Sequence, residues 1–159
     1  MSAETTKTFG PDAYARALES WHWIGIEGKR PLFASLFGDV FLEDEDGVWW
    51  LDIGRGELVR PRATREEMDV DLASRAGQDE FLLAALAEAA SDAGLRLAAD
   101  EIYDFRTPPI LGGEYAVENL QPLGFEVALS LAGQIHDQVK ELPDGAEISL
   151  EMDWSDERV

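Results

Sequence analysis

The chain has 159 residues, of which 33 are Asp or Glu and 13 are Lys or Arg, so its formal net charge is −20. That length suffices for one domain with a hydrophobic core, and an apolar fraction of 45% is typical of globular domains. The negative charge argues against binding to nucleic acid or to an anionic membrane, and the absence of Cys excludes disulfides and thiolate chemistry.

We expect a single domain over residues 1–159, with residues 1–10 flexible because they are polar and terminal. The N-terminus lacks the apolar run of a secretory signal, and the longest apolar stretch is far too short to cross a bilayer. These features predict a cytoplasmic protein.

The first half of the chain predicts a short helix followed by a β-meander. Pro11 opens a helix over residues 12–20, and residues 21–26 are expected to be extended, with two Trp on one face. Strands are predicted over 39–43, 48–53 and 57–60, with 33–37 as a possible fourth. The Asp46-Gly47 pair predicts a type I′ hairpin turn, whose two central residues need positive φ.

The second half predicts mainly helices. Thr64 and Glu67 form a capping-box pattern that starts a helix over 64–76, which Gly77 is expected to interrupt before a helix over 79–93. Residues 101–114 are expected to form a loop, 115–120 a strand of the main sheet, 125–142 a helix, and 146–152 an edge strand. The predicted fold class is α+β: an antiparallel sheet built on a meander (about 31–60, plus 115–120), packed against helices (about 64–76, 79–93 and 125–142).

No motif indicates a catalytic residue, a metal or a cofactor. The glycines around Lys29 lack the spacing of a nucleotide-binding loop, and Ser130 lies within a predicted helix rather than at a nucleophile elbow. His22 and His136 share no spacing typical of a metal site. The four arginines between residues 55 and 65 form the basic cluster of the chain, and we expect them to balance neighbouring acids.

The acidic clusters are the remaining candidates for function. One lies at the predicted hairpin tip, a position where binding residues often occur, next to two Trp that serve as possible aromatic anchors. A solvated, charge-rich loop is the alternative interpretation. The predicted partner-binding residues are Glu43, Asp44, Glu45, Asp46, Trp49, Trp50 and Asp104.

The order of several segments resembles a known family. Residues 33–42 (FASLFGDVFL) lead into the Trp-rich hairpin, and YDF at 103–105, PPILGG at 108–113, ENL at 118–120 and SLAGQIH at 130–136 follow. Together they resemble the C-terminal domain of type VI secretion immunity proteins, long catalogued as a domain of unknown function. The resemblance extends over about residues 21–148.

That resemblance implies a cognate inhibitor that binds a toxic effector, often a nuclease. The partner is expected to be a basic toxin protein, because a nuclease is basic where it holds phosphates and an acidic domain can bind to that surface. Two alternatives remain: a regulatory or scaffold module with a non-toxin partner, and an enzyme that uses carboxylates in a cleft around Tyr103, Asp104 and His136. Neither the partner's identity nor the oligomeric state follows from the sequence.

Overall fold

A five-stranded antiparallel sheet forms the centre of the computed structural model, which describes residues 5–142. Its strands follow one another in chain order: β1 (Thr6–Lys7), β2 (Arg30–Ser35), β3 (Val40–Asp44), β4 (Gly47–Asp52) and β5 (Glu57–Arg62). A second sheet has two antiparallel strands, β6 (Glu101–Phe105) and β7 (Leu120–Gly124). The α-helices are α1 (Pro11–Leu18), α2 (Arg65–Leu72), α3 (Arg75–Leu82), α4 (Ala84–Asp92) and α5 (Phe125–Val139). The α+β class predicted from the sequence is therefore confirmed.

The large sheet is covered on both faces, which explains the continuous apolar run of β4. Val48 and Trp50 lie in a cluster with Met68 of α2 and Phe81 of α3, whereas Trp49 and Leu51 face the opposite side. There α1 and α5 cover the sheet. Because successive strand residues point to opposite faces, a strand buried on both sides needs apolar residues without alternation.

The segment predicted to be extended after α1 is a 3-10 helix, Glu19–Ile24. Trp21 is completely buried, and its indole N–H donates to the Leu129 carbonyl oxygen at 2.9 Å. Gly25, with φ of 101°, ends the segment. Its aromatic residues therefore serve the contact with α5 rather than a sheet, so the strand prediction was wrong.

The β3–β4 hairpin forms as predicted, but its turn does not. Asp44 pairs with Gly47, so Glu45 and Asp46 occupy the central positions, one residue earlier than expected. Neither has positive φ, which excludes a type I′ turn. The Asp44 carboxylate accepts a hydrogen bond from the Asp46 amide at 2.9 Å and fixes the chain reversal instead.

The predicted capping box at the start of α2 is present, with Thr64 and Glu67 each accepting the other's backbone amide. The break after α2 falls at Ala73 and Ser74, not at Gly77. Gly77 instead lies buried in the first turn of α3, where a Cβ would come within 1.9 Å of the Asp71 carbonyl oxygen. A further break separates α3 from α4 at Leu83, whose φ is 51°.

The region after α4 differs most from the sequence prediction. Residues 101–105, predicted as loop, form β6, and the expected strand over 115–120 is replaced by β7 at Leu120–Gly124. These two strands pair with each other instead of extending the main sheet, although the Tyr103 amide donates to the Leu36 carbonyl oxygen at 2.8 Å. Their shared contacts bury Ile102 and Tyr103, which an exposed loop would leave in water.

The predictions for the two ends of the chain have different outcomes. Thr6 and Lys7 pair with β2, and the ring of Phe9 stacks on Phe125 at 3.9 Å, so this part of the segment expected to be flexible is packed. The edge strand predicted over 146–152 lies outside the described residues. In the described range, no helix is long and apolar enough to cross a membrane.

Candidate functional site

The first candidate site is the tip of the β3–β4 hairpin, where the carboxylates do not all behave alike. Glu43 pairs with Arg30, and Asp44 accepts from the Trp49 indole N–H at 2.8 Å. The hydrogen bond from Trp49, together with that from the Asp46 amide and the Lys29 ammonium 3.5 Å away, lowers the pKa of Asp44. Glu43 and Asp44 therefore have structural partners within the domain.

Glu45 and Asp46 are the exposed members of the tip. Within residues 5–142, neither carboxylate forms an ion pair, although the Asp46 carbonyl oxygen accepts from Arg60 at 2.7 Å. The backbone of the tip is thus held in place while two of its charges face solvent. Such an arrangement suits contact with a basic surface.

The two Trp predicted as anchors lie on opposite faces of the sheet and are half-buried rather than exposed. Trp49 lies under the Lys29 ammonium, 4.4 Å from its ring centroid. Trp50 makes an edge contact with Phe81 at 5.0 Å between ring centroids. Burial on both faces of β4 leaves neither ring free at the tip.

The second candidate site is a cavity of about 580 Å³ between the end of β4, the small sheet and α5. Its walls are largely apolar, and it includes Trp50 and Asp104 from the predicted set but not residues 43–46. The structure therefore divides the predicted residues between the hairpin tip and a separate cavity. Ile110 and Tyr115, which are 45% and 48% exposed, belong to the loop that borders it.

Two buried carboxyls, Asp39 and Asp52, line this cavity and are only 6% and 9% exposed. Asp39 accepts a hydrogen bond from the Ile53 amide at 2.9 Å, and Asp52 accepts from the amides of Gly54 and Arg55. Burial raises the pKa of Asp39 well above its ordinary value, and repulsion from Asp52 raises it further. Burial also raises the pKa of Asp52.

The Trp50 indole borders the same pair of carboxyls. Its Nε1 atom is buried without a hydrogen bond of normal geometry, although the indole lies close enough to Asp39 to lower the pKa of that carboxyl slightly. A buried N–H without a partner is uncommon, because removing it from water is unfavourable. The polar end of the cavity therefore has unused hydrogen-bonding capacity.

Asp104 and His136, the residues of the enzyme alternative, both line the cavity but each has its own partner. Gln121 donates to Asp104 at 3.1 Å, and burial raises the pKa of Asp104. The Nε2 atom of His136 lies 2.8 Å from the Ile53 carbonyl oxygen, and burial lowers the pKa of this imidazole. A neutral His136 that donates through Nε2 anchors the turn after β4 to α5, which is a structural role.

Three of the four arginines between residues 55 and 65 lie beside acids, although their partners differ from the expected ones, and Arg60 donates to the Asp46 carbonyl oxygen instead. Arg62 pairs with Asp71, and Arg65 lies 3.4 Å from Asp69. Arg55 lies 3.7 Å from Asp52 at the cavity. In the described part of the chain, no group of three or more His, Asp or Glu side chains is arranged to hold a metal ion.

Sequence reasoning missed Asp39 and Asp52 as a pair. A signal was present, because Asp39 directly precedes β3 and Asp52 ends β4, and the register Val40 to Leu51 makes these positions adjacent across the hairpin. Tyr115 and the α5 residues approach from distant parts of the chain, and no local pattern predicts that approach.

The fold is similar to that of a solved protein, described as Atu4351 from Agrobacterium tumefaciens. The similarity has a TM-score of 0.53 at 19% sequence identity and covers 82% of this chain. This chain spans 66% of the length of that protein, just under two thirds. At this identity the similarity shows the shared fold alone. A search of curated proteins found no match.

A protein-family model also matches, over residues 66–136, which extends from α2 into α5. The match is to a family described as immunity proteins. It does not include the hairpin tip. The resemblance read from the sequence is thereby confirmed: residues 66–136 match the family described as T6SS immunity protein Tdi1, C-terminal.

Proposed function

We propose that this protein is an immunity protein that binds a cognate type VI secretion toxin and neutralises it by covering the active or substrate-binding surface. The observation that carries the proposal is the match of residues 66–136 to the immunity-protein family model. Asp104 and His136 each have a hydrogen-bond partner within the domain, which is consistent with a binding role.

The toxin is proposed to be basic, and to be a nuclease. A net charge of −20 attracts a positively charged partner and repels nucleic acid. The protein and the nucleic-acid substrate of a nuclease would therefore compete for the same positively charged surface of the enzyme. A surface that must hold phosphates presents Lys and Arg, and these groups would meet carboxylates in the complex. Binding of this kind is fast at low salt and slows as salt rises.

The hairpin tip is proposed as one contact surface. Glu45 and Asp46 are exposed on a turn whose backbone is held by Asp44 and Arg60. A rigid turn loses little conformational entropy on binding, which favours affinity. Trp49 and Trp50, being half-buried, contribute by supporting the tip and sheet more than by direct contact.

Growth rescue tests the function. The gene is co-expressed with a candidate toxin gene from its genomic neighbourhood, and survival is compared with that of cells expressing the candidate toxin alone. Rescue by the wild-type chain supports an immunity role, whereas undiminished killing at equal expression would favour a regulatory or scaffold module with another partner.

A charge-neutral variant tests the contact surface. Glu45→Gln with Asp46→Asn removes two exposed charges from the tip, while Asp92→Asn with Asp100→Asn removes two exposed charges at the end of α4 and just before β6. The tip variant should slow association with the toxin by about tenfold at low salt, whereas the control should change it little. Equal effects of the two variants would show that net charge, and not the tip, controls binding.

A further inference from the structure

The cavity between β4, the small sheet and α5 has the dimensions of a small-molecule site. Its volume of about 580 Å³ lies within the range of roughly 300–1,000 Å³ that such sites occupy. Phe81, Phe105 and Leu131 contribute apolar wall, and several charged and polar side chains also line the cavity. An apolar chamber with a few convergent polar groups is the usual form of a ligand site.

Acidic side chains are prominent in the polar lining of the cavity. Asp39 and Asp52 are buried, whereas Arg55 has a side chain 69% exposed. Each carboxyl uses its Oδ1 atom to accept backbone amides, and the Oδ2 atom of Asp52 lies 3.7 Å from the Arg55 Nε. Among the side chains that line the cavity, acidic groups outnumber the arginines: the acids are Asp39, Asp52, Glu80 and Asp104, and the arginines are Arg55 and Arg106.

Aromatic groups lie beside these carboxyls. Trp50 lines the cavity with its buried indole beside Asp39, and Tyr115 approaches from the loop, with its hydroxyl 3.1 Å from the position of a Cβ built on Gly54. An aromatic face next to a carboxylate suits a protonated amine, because the amine can form a cation–π contact with the ring and a charge-assisted hydrogen bond with the carboxylate. A bound anion would meet Asp39 and Asp52 and be repelled.

We propose that this cavity binds a small organic amine, whose protonated nitrogen contacts the carboxyls of Asp39 and Asp52 while its aromatic or aliphatic body fills the apolar chamber. This site is separate from the hairpin tip and does not depend on the proposed immunity function. The bound cation would relieve the repulsion between the two carboxyls.

Matched probes test the charge requirement. Phenethylamine and tryptamine are titrated into the full chain by calorimetry up to about 1 mM, beside neutral 2-phenylethanol and tryptophol and anionic phenylpropionate. At least one amine should bind at least about tenfold more tightly than its neutral counterpart, and the anion should not bind. Absence of binding by both amines, or equal affinity of amine and alcohol, would overturn the proposal.

Variants locate the site. Asp52→Asn should weaken amine binding about tenfold, and Asp92→Asn, an exposed control outside the cavity, should leave it unchanged. If Asp52→Asn fails to fold, Val127→Phe provides a second test, because Val127 is a half-buried cavity residue outside the three core clusters. Its larger ring should abolish binding; retained affinity in a folded Val127→Phe protein would contradict the assignment.

The dependence on pH gives an independent readout. Asp39 is faced by Asp52 and Arg55 from β4 and its turn, by Tyr115 from the loop and, through Asp52, by His136 from α5. Because the ionised carboxyl binds the cation, affinity for the amine should rise as pH increases through the raised pKa of Asp39. In Asp39→Asn this rise should be reduced, and an unchanged rise would exclude Asp39 from the site.

Discussion

Replacement of Gly133 by Ala tests how closely α5 approaches the 3-10 helix at Glu19–Ile24. A Cβ on Gly133 would lie 2.1 Å from the Ser20 Oγ and 2.8 Å from the Ser20 carbonyl oxygen, both far inside contact distance. The Ser20 hydroxyl donates to the carbonyl oxygens of Leu129 and Ser130, at 3.3 and 3.0 Å, so moving it also breaks hydrogen bonds.

The free-energy terms for Gly133→Ala have opposite signs. Ala is favoured over Gly inside a helix by about 1 kcal/mol. Overpacking costs about 1–3 kcal/mol, and loss of the Ser20 hydrogen bond costs about 1 kcal/mol more. We therefore expect the free energy of unfolding to fall by about 1–3 kcal/mol, measured by urea denaturation with Trp fluorescence.

Two further variants make this prediction specific. Gly124→Ala is the control, because nothing lies within 4 Å of its added Cβ, and it should change stability by less than about 1 kcal/mol. Ser20→Ala removes the closest atom, so it should recover about 1 kcal/mol in the Gly133→Ala background. A Gly133→Ala protein as stable as the wild type, or strictly additive effects with Ser20→Ala, would refute the close approach.

Three more predictions concern stability. First, the pKa of Asp39 is raised in the folded state, so the folded protein holds this proton more firmly than the unfolded chain does. The resulting contribution to the free energy of unfolding is present below the unfolded pKa of about 3.9 and is lost as pH rises through the folded pKa. Melting temperature should therefore fall less with rising pH in Asp39→Asn than in the wild type, and parallel profiles would contradict this. Second, Trp21→Phe removes a buried hydrogen bond and should cost about 1–3 kcal/mol in urea unfolding, whereas Trp50→Phe removes an unpaired N–H and should cost less; the reverse order would count against the assigned bonding. Third, Thr64→Ala removes the α2 cap and should lower the free energy of unfolding by about 1 kcal/mol, measured by thermal denaturation. An unchanged melting temperature would show that the cap does not stabilise the helix.

The sequence predicted those parts of the fold that depend on local interactions. Thr64 and Glu67 form a capping box because both partners lie within one helical turn. The β3–β4 hairpin follows from strand patterns on either side of an acidic turn. Such features need no information about distant parts of the chain.

The failures arose where tertiary contacts decide the outcome. The run around Trp21 resembles a strand, but a bond from its indole to Leu129, far along the chain, stabilises a 3-10 helix. Gly77 was expected to break a helix because Gly has low helix propensity, yet the close approach of the Asp71 carbonyl oxygen requires a residue without Cβ.

The same distinction applies to the candidate sites. Exposure of Glu45 and Asp46 follows from their place at a hairpin tip, so sequence alone located that surface. The cavity joins the end of β4 to residues of β6, α5 and the loop that contains Tyr115. Its pair of buried carboxyls becomes recognisable only when the hairpin register is known.

Inhibition of the purified toxin is the most direct test of the proposed neutralising function. The toxin's own activity, nuclease cleavage if it is a nuclease, is measured while this protein is added from substoichiometric to excess amounts. We predict that activity falls in proportion to added protein and is abolished near equimolar amounts. Full toxin activity in the presence of excess folded protein would contradict the account.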